Sequence, residues 1–135
     1  MPNAEVLIPM GTFTAYAGEN LTEGQLFKWS TSEKTIVATG SGERPVGIVI
    51  RDITAGELCN DPLGGAAEFF KTAGIVKVPV TASLDVGGQV MSDASGAIAA
   101  YVAAGTNHAF GVVLSTDTET DDDGNAVTVA ELYIY

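Results

Sequence analysis

The chain has one cysteine, one histidine and one tryptophan in 135 residues, and only six lysines and arginines against 17 aspartates and glutamates. Each scarcity removes a class of function. A lone Cys59 rules out an intrachain disulfide framework and reads as a small buried or semi-exposed side chain. A lone His108 confines any histidine-based dyad to one position, and it reads as a surface-loop residue. The net charge of −11 repels phosphate backbones and anionic lipid surfaces, so neither nucleic acid nor a membrane is an expected partner. No run approaches the roughly 18 apolar residues of a membrane span. The opening "MPNAEVLIPM" lacks the basic start of a secretory signal, so synthesis in a cytoplasm is expected. The length fits one domain, residues 1–135, able to bury about two thirds of the surface of its unfolded chain.

What is present is apolar and turn-rich. Apolar residues make up 46% of the chain and charged residues 17%, against a usual charged share of roughly 25%. Either part of the surface is covered by partners, or the Ala-rich and Val-rich stretches raise the average.

The chain also repeats itself. A shift of 64 positions lays "GQLFKW" (Gly24 to Trp29) over "GQVMSD" (Gly88 to Asp93) and, without a gap, "PVGIVI" (Pro45 to Ile50) over "AFGVVL" (Ala109 to Leu114). Arg44 then falls over His108. Shared strand-turn grammar could produce such matches. One offset serving both ends favours two similar strand-turn-strand units within one β-rich domain rather than a solenoid, which needs more copies.

Period-two alternation predicts strands. In "IVKVPVT", Val76, Val78 and Val80 share one face and Ile75, Lys77, Pro79 and Thr81 the other. Pro79 has no N–H to give, which places that strand at an edge or pairs it on one side only. "VTVAELYIY" is apolar on both faces, with Val127, Val129, Tyr133 and Tyr135 opposite Leu132 and Ile134, and is predicted to be covered on both sides. "AIAAYVAAG" (97–105) has helix-favouring alanines, but the echo lays it over "EKTIVATGS", and it is read as a strand. Turn signals recur at "AGEN", "SGERP", "NDPLGG", "DASG" and "DDDGN". Together these give an all-β fold: a single small β-sandwich or barrel-like domain with an extended N-terminal arm and two similar strand-turn-strand units.

The candidate chemistry is sparse. With Glu119 as first ligand of a calcium loop, Asp121 and Asp123 alternate and Gly124 stands sixth, but position twelve is Ala130 and the nearest acid is Glu131. The register fails by one, so the stretch reads as a solvated hairpin tip, with weak adventitious cation binding as the alternative. "GSG" at 40–42 has no Lys-Ser/Thr after it and reads as a hairpin loop rather than a phosphate cradle. Phe27, Trp29, Phe69 and Phe70 are too scattered for a sugar platform and suit core packing. No catalytic residue, metal ligand or cofactor is expected. A carboxylate hydrolase would need two acids meeting across a cleft, which a sequence does not reveal.

The order of the segments supplies a further lead. "LTEGQLFKWSTSEKTIVATGSGERPVGIVI" followed by "AEFFKTAGIVKVPVTA" resembles the head decoration proteins of lambda-like tailed phages, with "FFKTAGIVKV" as the best local match. "GIVKVPVTASLDVGGQVMSDASGAIA" is similar to the wider group of phage capsid cement proteins. The chain departs from the lambda-like pattern in carrying a whole second unit with its acidic hairpin. The resemblance implies a β-rich homotrimer on the outer surface of the virion head that stabilises the shell by bridging subunits of the major capsid protein. Within it, Val6, Leu7, Ile8 and Pro9 are the expected capsid contacts, since an apolar arm can add a strand to a sheet edge. The alternative is that residues 1–11 form the first strand of the domain's own sheet. A module of a tail, fibre or adhesin protein is the rival reading of the whole.

Overall fold

The computed structural model describes residues 12–62 and 70–135. Among them every regular element is a strand. A first sheet is built from β1 (Thr12–Ala17), β2 (Leu26–Trp29), β3 (Thr35–Ala38), β4 (Gly47–Val49), β5 (Leu58–Pro62) and β6 (Phe70–Lys71), in the order β5-β1-β3-β2-β4-β6. A second contains β7 (Gly74–Pro79), β8 (Gln89–Ser92), β9 (Ile98–Ala100), β10 (Gly111–Thr120) and β11 (Ala126–Ile134), in the order β7-β11-β10-β8-β9. Pairing is antiparallel except between β1 and β3. The first sheet curls until its end strands β5 and β6 lie against each other, making a half-barrel. The all-β expectation holds, and it combines a barrel-like curl with a sandwich.

Two cores result. One fills the hollow of the half-barrel with Ala15, Ala17, Leu21, Phe27, Ile36, Val49, Ile53, Cys59 and Phe70. The other lies between the sheets, where Val76, Val78, Val90, Val113, Leu132 and Ile134 meet Leu26 and Ile48. Strands β2 and β4 serve both. Leu26 pairs with Ile48 and both face the second sheet, while their neighbours Phe27 and Val49 turn into the hollow. There Phe27 meets Phe70 edge-on, with ring centroids 5.0 Å apart, a geometry worth about 0.5–1.5 kcal/mol beyond the area buried.

The internal echo is structural, with one correction. β2 pairs with β3 and β4, and β8 pairs with β9 and β10, giving the same three-strand arrangement. At the second end the expected shift of 64 holds: Val46 and Phe110 each donate a backbone bond to the preceding strand, from Val46 to Phe27 and from Phe110 to Val90. At the first end the equivalence runs Gly24 to Gly87 and Phe27 to Val90, a shift of 63 rather than 64. Backbone conformation is the reason. The turns Thr22–Gln25 and Asp85–Gly88 each close with a bond from the fourth N–H to the first carbonyl, and each needs a positive φ at its third residue. Gly24 (86°) and Gly87 (84°) supply it, so the second glycine of "GGQV" matches Gln25. Gly47 and Gly111 do correspond, since Gly47 pairs with Phe27 and Gly111 with Val90; at Gly111 a side chain would put its Cβ 2.7 Å from the Tyr133 carbonyl oxygen.

Val76, Val78 and Val80 reach the intersheet core as expected, and β7, which carries Pro79, pairs only with β11, at the end of its sheet. The alanine-rich stretch forms a strand over Ile98–Ala100 and then leaves the sheet. For β11, covering on both sides is overturned. Ala130, Leu132 and Ile134 are buried, but Tyr133 and Tyr135 are 48% and 56% exposed. The second sheet has a core on one face only, so the opposite face of its strands is open.

The two units are stitched together by backbone. Leu26 N–H donates to the Gly96 carbonyl at 2.7 Å, Gly42 N–H to that of Ser92 at 2.9 Å, and His108 N–H to that of Gly42 at 2.9 Å. Thr39 sits in this seam, 1% exposed, with its hydroxyl oxygen unpartnered. A buried hydroxyl without a partner costs about 1–3 kcal/mol, and valine has nearly its shape. Thr39→Val is expected to raise the unfolding free energy by about 1 kcal/mol, read as a higher urea midpoint at unchanged slope; a lower midpoint would show the hydroxyl to be satisfied in solution.

Candidate functional site

The expected contacts Val6, Leu7, Ile8 and Pro9 lie outside the described residues. The functional surface is therefore built from the remainder, beginning with its turns.

"DASG" and "DDDG" fold into the same device. Asp93 Oδ1 accepts from the N–H of Ser95 (2.8 Å) and Ala97 (2.9 Å) and from the Ser95 hydroxyl (2.9 Å). Asp121 Oδ1 accepts from the N–H of Asp123 (3.0 Å) and Asn125 (2.8 Å). Gly96 and Gly124, at φ of 85° and 84°, complete each turn. The Asp121 carboxylate thus closes the β10–β11 hairpin on the backbone N–H groups of Asp123 and Asn125, while Glu119 forms an ion pair with Lys77 of β7. The hairpin-tip reading of this stretch agrees with the structure. Among the described residues, no three His, Cys, Asp or Glu side chains are grouped to hold a metal ion.

The remaining candidates are separate. His108 is exposed, beside Arg44, Pro45, Phe110 and Tyr135 at a surface hollow, so the two positions matched by the echo do come together. Gly42 of "GSG" is buried, its backbone bonded to Ser92 and His108 in the seam between the units. Glu23, Glu119 and Asp121 line a hollow floored by Pro79, Val127 and Val129, with Glu119 held by Lys77 and Asp121 by its turn. Cys59 is fully buried against the half-barrel core. That burial, reinforced by Glu57 and opposed by Arg51, pushes its thiol up to about 11.

The most distinctive surface is the open face of the second sheet. Register sets Ile75, Tyr133, Val112 and Gln89 side by side across four strands. Ile75 is 65% exposed, Tyr133 and Tyr135 are about half exposed, and the two tyrosine rings lie 6.2 Å apart. Gln89 Nε2 donates to Tyr135 Oη at 3.1 Å. No member of this row is charged. The next row, Lys77, Glu131 and Ser115, is polar, and Ser115 donates to Glu131 at 2.8 Å. A second open patch lies on the convex face of the half-barrel, where Leu58 pairs with Tyr16 and Tyr16 with Thr35. The strict alternation of "ELYIY" carries the signal for the first patch, once that strand is known to have a core on one side only.

The fold is similar to that of a phage head fiber base. The crystal structure of the head fiber gp8.5 N base of bacteriophage phi29 superposes with a TM-score of 0.59 over 88% of this chain and 91% of that one, at 18% identity. At that identity the likeness is one of fold. No protein-family model and no curated protein matches the chain.

Two properties of these groups are measurable. Partial burial pushes the Asp93 carboxyl up, but the bonds from Ser95, Ala97 and Gly96 outweigh it and hold the group below its usual value. Its share of stability is then present above about pH 4 and lost as the pH falls through the lowered folded-state value. Asp93→Asn is expected to cost about 1 kcal/mol at pH 7 and less at pH 3; a gap that is constant with pH would contradict the assignment. Cys59 should resist a disulfide reagent in the native protein and react fully in denaturant. Rapid native labelling would place the thiol at the surface.

Proposed function

We propose that this chain is a structural protein of a phage head, bound to the outer surface of the shell and stabilising it by bridging major capsid protein subunits. The observation that carries this is the fold shared, over nearly the whole of both chains, with the base of a head fiber. The lambda-like segment order of the sequence points the same way. Charge is consistent with the location, because a chain at −11 repels a packaged genome and is tolerated on an outer face. The homotrimer belongs to this proposal, as does a shell-binding role for Val6, Leu7, Ile8 and Pro9. A second reading, a base or module of a fibre, tail or adhesin, is favoured by the fibre in which the phi29 domain occurs.

Co-sedimentation of the purified chain with undecorated shells, expanded and unexpanded, from the virus that encodes it separates these readings. Saturable binding, in multiples of three copies per site and stronger to expanded shells, is expected. Removal of residues 1–11 should abolish it while the circular dichroism spectrum and melting temperature stay near wild type. Binding to neither shell would favour the fibre or tail reading. A truncated chain that unfolds would make residues 1–11 part of the domain's own sheet.

A further inference from the structure

We propose that the open face of the second sheet is covered by a second copy of this chain, which brings to it the convex patch of its half-barrel in a head-to-tail contact. The row carrying Ile75, Tyr133 and Val112, with Tyr135 beside it, would then meet Tyr16 and Leu58 of the next copy.

The internal repeat provides the first argument. By backbone pairing, Leu26 and Ile48 of the first unit correspond to Gln89 and Val112 of the second, each pair being directly opposed across two strands. In the first unit this row is wholly buried, because the second sheet lies over it. In the second unit the same row is open, and it continues through Tyr133 to Ile75. A face whose counterpart within the same chain is covered by a sheet is suited to being covered by one. The convex face of the half-barrel is itself divided in this way: Leu26 and Ile48 are covered, while Tyr16 at 49% and Leu58 at 56% exposure are not.

Area and charge favour a copy of the chain as the occupant. The exposed parts of Ile75, Tyr133, Tyr135 and Val112 amount to roughly 300–400 Å², enough for the apolar centre of an interface burying about 800 Å² per partner. Chains at −11 repel each other, so contact is least opposed where carboxylates are missing, and this row has none. Head-to-tail contact covers both patches at once. A contact of the second sheet with its own copy would leave Tyr16 and Leu58 open. Because the two patches differ, the contact is heterologous and closes a ring or extends a chain.

The inference rests on the homotrimer of the proposed function, whose contacting faces it names, but is independent of shell binding, since self-association without affinity for shells would remove the shell-stabilising role and leave this contact intact. Its test is sedimentation equilibrium of the full chain alongside Tyr133→Asp and Leu58→Asp, each first shown to be folded by circular dichroism, with Tyr133→Ser and Leu58→Ser as milder replacements. The wild type should associate and each variant should be weakened by about 30-fold or more. An equimolar mixture of the two variants should form dimers at concentrations where each alone is monomeric, because one intact pair of faces remains. A monomeric wild type, variants that retain the wild-type mass, or a mixture that stays monomeric would each overturn the proposal. So would a monomeric wild type whose Tyr133→Asp variant loses shell binding, which would make the face a shell contact.

Discussion

The double burial of β2 and β4 is the constraint on which the rest of this fold depends. A strand exposes alternate residues on opposite faces, so one with a core on each side needs apolar residues in succession. "LF" at 26–27 and "GIV" at 47–49 meet that requirement, sending Leu26 and Ile48 to one core and Phe27 and Val49 to the other. Each full burial contributes about 1.5–3 kcal/mol. A slip of one residue in either strand would exchange the two sets and mismatch both cores together. The register is therefore fixed from two sides, and the sheets cannot reposition independently.

The two units show how one local plan serves unequal roles. Both begin at a turn with a positive-φ glycine and pass through strands paired in the same order. Their difference lies in what covers the row opposite each hydrophobic core. In the first unit that row is Leu26 and Ile48; in the second Gln89 replaces the leucine and donates to the Tyr135 hydroxyl. The replacement fits a face that meets water in the single chain, while the neighbouring Val112, Tyr133 and Ile75 keep it apolar. Such half-polar, tyrosine-bearing surfaces are typical of interfaces that must also survive uncovered.

Much of this was legible in the sequence. Period two in "IVKVPVT" gave the strand and its buried face, and Pro79 its place at the end of a sheet. The equivalence of Val46 to Phe110 and of Gly47 to Gly111 followed from simple alignment. The one-residue error at "GGQV" came from matching residue names where the backbone matches torsion angles: Gly87, not Gly88, carries the positive φ. The open side of β11 is not legible in the sequence because apolar residues on both faces describe equally a strand between two cores and a strand with one face left open. Local composition does not separate these cases; the position of the neighbouring sheet does. Likewise, Asp121 in a calcium-like spacing and Asp93 in a plain "DASG" look unrelated as strings, yet their carboxylates close identical turns.

The distribution of charge completes the physical account. Most acids of the second unit are placed at turns and along the outer part of the β10–β11 hairpin, at Asp117, Glu119 and Asp121 to Asp123, away from the row of Ile75, Tyr133 and Val112; Glu131 is the exception, standing in the next row beside Lys77. Lys77 lies between these regions and pairs with Glu119. A chain with few charges overall would lose solubility if its carboxylates were spread thinly across an apolar surface, since no region would then be strongly hydrated. Concentrating them on a protruding arm keeps repulsion between chains effective at a distance while leaving the apolar row free of buried-charge penalties on contact. Long-range repulsion and apolar surface are thereby assigned to different parts of one sheet, an arrangement that suits the head-to-tail contact proposed above.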